Sequence, residues 1–151
     1  MNRDELKKIL PHREPMLLVD EAEVNEDGSF TGSYTVKGDE FFLQGHFPDN
    51  PIVPGVMLCE MMAQSSVVLF QEDLGENQLF VYTGINNVKF RESVRPGDTV
   101  VFHGEITRVK KPFYFIHGLA AVNGKRCMEG DFSFAAVAAA NGIKSAESND
   151  I

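Results

Sequence analysis

Residues 54–71 read PGVMLCEMMAQSSVVLFQ, and this stretch decides the fold. Pro54 stands where a helix begins, no breaker falls inside, and Gly55 to Gln71 is long enough for roughly four turns or more. Val56, Met57, Leu58, Cys59, Met61, Met62, Ala63, Val67, Val68, Leu69 and Phe70 leave no polar face, the pattern of a helix enclosed on most sides. Such a helix needs something to wrap it.

The flanking sequence supplies strands. Downstream, Leu79–Phe90, Thr99–Val109, Phe113–Val122 and Arg126–Val137 carry strand formers, punctuated by Pro96-Gly97-Asp98, Lys111-Pro112 and the hairpin signal Asn123-Gly124. They predict an antiparallel meander. Upstream, Asp4–Ile9 predicts a short helix ended by Pro11, and Leu17–Asn25 and Ser29–Val36 predict a hairpin turning at Glu26-Asp27-Gly28. The sum is an α+β domain in which a curled antiparallel sheet wraps a long central helix, over residues 1–137. Residues 138–151 read as a mobile tail.

Composition removes several function classes. With 43% hydrophobic and 10% aromatic residues the chain is an ordinary globular protein. A net charge of −8 argues against nucleic acid as the main partner, because phosphate binding needs a basic field. The charge is unevenly spread. Residues 86–126 hold eight basic side chains (Lys89, Arg91, Arg95, Arg108, Lys110, Lys111, Lys125, Arg126) against three acids (Glu92, Asp98, Glu105), a balance of +5 that leaves −13 elsewhere. Either this is a basic surface that steers a small acidic partner, or these are solvated strand-end charges. The first residues have no signal-peptide pattern and no apolar run is long enough for a bilayer, so a cytoplasmic protein without a membrane segment is expected. Cys59 and Cys127 stand alone and read as reduced thiols, and His103 and His117 lack a third ligand, so no metal site is expected.

Two residues stand out chemically. Glu60 is the sole formal charge between Pro51 and Gln71. A carboxylate in such a helix either finds a partner or stays protonated with a raised pKa, and both outcomes suit catalysis; the bland alternative is an acid at a subunit edge that reaches water or an Arg. Fourteen positions upstream, Gly45-His46-Phe47-Pro48 sets an imidazole in a loop stiffened by Pro48, Pro51 and Pro54. A lone loop His is more often structural. This loop, however, runs into the N-terminus of the helix that carries Glu60, so the two groups are expected to face one cavity. There the Gly55 and Val56 amides lack intrahelical acceptors, and Gly55 has no Cβ to keep a substrate carbonyl away. Gln64, four residues after Glu60, shares its helical face and can orient the carboxyl group or hold a water.

These residues resemble a known signature. Gly45-His46-Phe47-Pro48, Pro51, Pro54-Gly55-Val56, and Glu60 with Ala63-Gln64 are similar to the active-site pattern of the short 3-hydroxyacyl-acyl-carrier-protein dehydratases of bacterial type II fatty-acid synthesis. Leu10-Pro11-His12-Arg13 with Pro15 and Leu17-Leu18-Val19-Asp20 resembles that family's opening, Pro96-Gly97-Asp98 a later loop, and Val122-Asn123-Gly124-Lys125 its last hairpin, so the likeness spans Leu10 to Val137. It implies a hotdog fold, catalysis by His46 and Glu60 meeting across a homodimer, further assembly as a trimer of dimers, and the Gly55 amide on the thioester carbonyl with Gln64 in support. It implies acyl carrier protein as partner, for which Lys89, Arg91, Arg95, Lys110 and Lys111 are docking candidates.

The implied chemistry suits the residue types. Imidazole removes a proton α to a thioester, an amide stabilises the enolate oxygen, and a carboxyl kept protonated by the apolar helix helps hydroxide leave, with no metal or redox cofactor required. Phe41, Phe42, Phe47, Met57 and Met61 are candidates for lining an acyl tunnel, with Val56 beside Gly55. His12, between Pro11, Arg13 and Pro15, reads as a loop anchor. Three alternatives stay open: a hotdog acyl thioesterase, a catalytically silent acyl-thioester binding subunit, and a dehydratase that also isomerises trans-2 to cis-3 double bonds.

Overall fold

The computed structural model describes residues 1–139. Helix α1 (Arg3–Leu6) leads into strands β1 (Glu21–Val24) and β2 (Phe30–Thr35), then helix α2 (Gly55–Ser66), and then β3 (Gln78–Phe90), β4 (Thr99–Lys110), β5 (Phe113–Val122) and β6 (Lys125–Ala138). A 3-10 turn, Val67–Leu69, continues α2, so the helical run stops two residues short of Gln71. The six strands form one antiparallel sheet in the order β1-β2-β4-β5-β6-β3. The sheet curls around α2, with β2 making the most extensive contact and β3 touching the helix through Tyr82 and Phe90.

Close packing explains several small residues. A side chain on Gly32 of β2 would fall 2.5 Å from Ser65 of α2, and one on Gly118 of β5 would fall 2.7 Å from the Met62 sulfur. Met61 and Met62 are fully buried, facing a core that includes Phe30, Phe102, Ile116, Met128 and Phe132. Removing either Met side chain would cost about 2–5 kcal/mol.

Two sequence expectations change. Leu17–Val19 is buried but is not strand: the Arg3 guanidinium donates to the Leu17 and Val19 carbonyls at 3.1 and 3.3 Å, and the Leu18 amide donates to Gln64 Oε1 at 2.7 Å. Side chains satisfy these backbone groups, so no ladder is needed. The meander holds only for β4-β5-β6. Strand β3 pairs with β6, leaving β3 at one edge and β4 beside β2. Residues 91–98 make the crossing, tied down by Arg91 N–H to Cys127 O, Val53 N–H to Val94 O and Gly97 N–H to Val36 O. Ala138 pairs with Gln78, one residue past the expected domain limit, and the remainder of the expected tail, from 140 on, lies outside the described residues. Among the described residues, no helix is long and apolar enough to cross a membrane.

Candidate active site

Glu60 projects from the second turn of α2 into a cavity of about 220 Å³. The helix supplies Ala63, Gln64 and Val67, the N-terminal loop supplies Leu10, Pro11 and His12, β3 supplies Leu79 to Tyr82, and the buried Phe70 and Phe134 complete the lining. The walls are mainly apolar, and no Lys or Arg is among them.

The carboxylate is a quarter exposed. Gln64 Nε2 donates to Glu60 Oε1 at 2.9 Å, and His12 Nε2 lies 3.2 Å from the same oxygen. Burial pushes the Glu60 carboxyl up, but the hydrogen bonds from His12 and Gln64 together outweigh it and hold the pKa below 4.5. Of the two outcomes expected for this carboxyl, a partner or a raised pKa, the chain supplies the partners. The apolar pattern of α2 and the place of Gln64 beside Glu60 were legible; His12 as the second partner of Oε1 was not. Beside it, the Tyr82 hydroxyl donates to the Cys59 carbonyl, and burial pushes the Cys59 thiol up to about 11.

His46 occupies a different place. Its Nδ1 lies 3.0 Å from the Ile52 carbonyl, its ring stacks on Phe47 at 4.4 Å, and it is not part of the cavity around Glu60. The expectation that both groups face one cavity therefore fails within a single chain. Ile52 N–H to His46 O closes the His46 loop on itself, and Val53 N–H to Val94 O ties it to the segment that follows β3. Among the described residues, neither the Gly55 nor the Val56 amide has an acceptor in the chain. Gly55 is glycine here for a reason the sequence did not suggest: a Cβ would fall 2.7 Å from the Phe90 ring. Val56 is 72% exposed, Phe47 is half-exposed, and Met57 is partly buried. None of Phe41, Phe42, Phe47, Met57 and Met61 lines the cavity beside Glu60.

The docking candidates divide into two groups. In the ladder register Val101 faces Ala121 and Ala121 faces Arg126, while Phe90 faces Met128, so Lys89, Arg91 and Arg95 share one end of the sheet with Lys125 and Arg126. Lys110 faces Phe113, which faces Ala135, at the other end, roughly 30 Å away along β4. Arg95 bonds Asn50 in the His46 loop, and Lys111 lies 3.8 Å from Asp73. The single basic surface expected from the sequence is thus two, and the Lys89 end is the one beside His46. His117, on the outer face, is held between Asp131 and Glu129 at 2.7 and 2.8 Å.

Comparison with known proteins agrees in extent with this architecture. The family model described as the FabA-like domain matches residues 10–131. The 3-hydroxyacyl-acyl-carrier-protein dehydratase FabZ of Halalkalibacterium halodurans is 41% identical over 134 residues, covering 87% of this chain and 96% of that protein. The FabZ of Clostridium beijerinckii is 39% identical over 139 residues, covering 89% and 98%. Among solved structures, the dehydratase heterocomplex ApeI:P from Xenorhabdus doucetiae superposes with a TM-score of 0.78 at 20% identity, covering 93% of this chain and 96% of that one. The fluoroacetyl-CoA thioesterase FlK gives 0.70 at 17% identity, covering 86% and 99%. At these identities the structural likeness bears on the fold alone, the α+β hotdog.

Proposed function

Because the chain belongs to the FabA-like family, as a 3-hydroxyacyl-acyl-carrier-protein dehydratase of the FabZ type, we propose that His46 and Glu60 perform its chemistry across a subunit interface. The enzyme removes water from 3-hydroxyacyl groups on acyl carrier protein, giving trans-2-enoyl products in fatty-acid elongation. It does so in the cytoplasm. In the proposed step His46 takes the Cα proton, the Gly55 amide stabilises the enolate oxygen, and Glu60 gives a proton to the departing hydroxide. The hydrogen bonds on Oε1 favour the ionised carboxylate, and exclusion of water by the acyl chain and a second subunit favours the protonated form that this step uses. For the reverse reaction, hydration, the ionised form is already the base that water needs.

The observation that carries this reading is the placement of both groups along one open edge. Strand β3 is an edge strand of 13 residues with Val81, Ile85 and Phe90 exposed, an unpaired ladder that invites a partner. Its Leu79–Tyr82 end borders the Glu60 cavity, and its Phe90 end packs on Gly55 beside the His46 loop. Antiparallel pairing of two β3 strands about a two-fold axis sets the His46 end of each subunit against the Glu60 end of the other. Further association into a trimer of dimers follows the family resemblance.

The experiment is subunit mixing. His46→Ala and Glu60→Gln should each abolish dehydration of 3-hydroxybutyryl-carrier protein while leaving the fold intact. Refolded together in equal amounts, the two dead variants should regain about a quarter of wild-type activity, because half the dimers then hold one intact site of two. No recovery would refute the shared site, and turnover by either variant alone would refute the residue assignment. Release of free thiol instead of enoyl product would favour the thioesterase alternative.

A further inference from the structure

We propose that His12 is a positioning residue for Glu60, holding Oε1 so that Oε2 is the oxygen offered to the substrate hydroxyl. This rests on the reading of Glu60 as the group that handles the leaving hydroxide.

Gln64 sets the frame around Glu60. Its Oε1 accepts the Leu18 amide at 2.7 Å, which fixes the amide orientation, since the other flip would set two donors against each other. Its Nε2 then donates to Met16 O at 2.8 Å and to Glu60 Oε1 at 2.9 Å, so both its protons are used. Gln64 is 1% exposed, and this frame is rigid. His12 Nε2 approaches the same Glu60 oxygen at 3.2 Å. Oε1 thus has two donors, and Oε2 has none among the described residues. When Glu60 takes a proton, Oε2 is the oxygen with room for it.

The chemistry of His12 fits this task better than that of a permanent cation. His12 Nδ1 is buried with no hydrogen-bond partner, so a second proton there would have nothing to bond. The tautomer with its proton on Nε2 is favoured, and that N–H donates to Glu60 whether Glu60 is ionised or protonated. An Arg or Lys in the same place would lock the carboxylate in its ionised form. The other titratable groups near Glu60 are Tyr82 on β3, engaged with Cys59 O, and the Cys59 thiol on α2 itself. Neither reaches Oε1, which leaves His12 as the second donor.

The test compares three variants in the hydration of crotonyl-coenzyme A over a range of pH, with the fold checked by circular dichroism. His12→Leu removes the donor and should lower kcat on the order of 10-fold with KM little changed. It should also move the acidic limb of the profile upward, because the lost hydrogen bond favoured the ionised carboxylate. His12→Gln keeps an N–H at the Nε2 distance and should restore most of kcat and return the limb. A loop anchor alone would move stability without moving the limb. If His12→Leu does not fold, His12→Asn, whose amide is too short to reach Oε1, serves in its place. An unmoved limb and unchanged kcat in the donor-deficient variant overturn the proposal while Glu60→Gln remains dead. An active Glu60→Gln overturns the reading beneath it.

Discussion

At Glu60, burial and hydrogen bonding act in opposite directions on one carboxyl group, and the two donors on Oε1 decide the outcome. Side chains that look alike in sequence diverge once their neighbours are known. His117 is a half-buried strand residue, and the hydrogen bonds its ring donates to Asp131 and then to Glu129 raise its pKa above 6.5. A raised folded-state value means that its contribution to stability is complete below pH 6.5 and disappears as pH rises through the folded value. Thermal melts should therefore decline more gently above pH 6.5 in His117→Gln than in the wild type, and parallel curves would contradict this. Gly55 offers a second check. Gly55→Ala forces the Phe90 ring aside and should lower the melting temperature, whereas Phe90→Leu in the same chain should recover most of the loss, since the two residues share one contact. Equal losses in both chains would mean the alanine harms something other than that contact.

Among the elements, the later strands were the most legible. Their predicted limits agree with the observed ones to within a residue because turn residues such as Asn123-Gly124 end them locally. Leu17–Val19 was misread for the opposite reason: its backbone partners, Arg3 and Gln64, are remote in sequence. The place of β3 beside β6 is likewise a long-range choice. If that edge pairs two subunits, Ile85→Arg should give a monomer by sedimentation and should lose dehydration with it; a fully active dimer would exclude this edge as the interface. The aromatic rings of Phe70, Phe80 and Phe134 pack on one another in the cavity wall. Phe80→Ala should shift the preference toward longer acyl chains, read as relative kcat/KM over substrates of graded length.

For the whole molecule, the split between two basic ends makes carrier docking a geometric question. Lys89→Glu with Arg91→Glu, beside the His46 loop, should raise the KM for carrier-bound substrate at low salt, and the effect should shrink as salt is added. Lys110→Glu with Lys111→Glu should change it less, and the reverse order would move the docking surface to the far end. The sequence by itself determined the buried helix, the strands around it, the proline-stiffened His46 loop and the isolation of Glu60, because each is written in local pattern, punctuation and residue chemistry. Only the tertiary structure decided that His12 joins Gln64 on one oxygen of Glu60, that His46 lies outside that cavity, and that the basic residues fall at two ends of the sheet. Those facts depend on which distant segments meet when the sheet closes on the helix, and a hydrogen bond spanning 48 residues of sequence leaves no trace in the residues between.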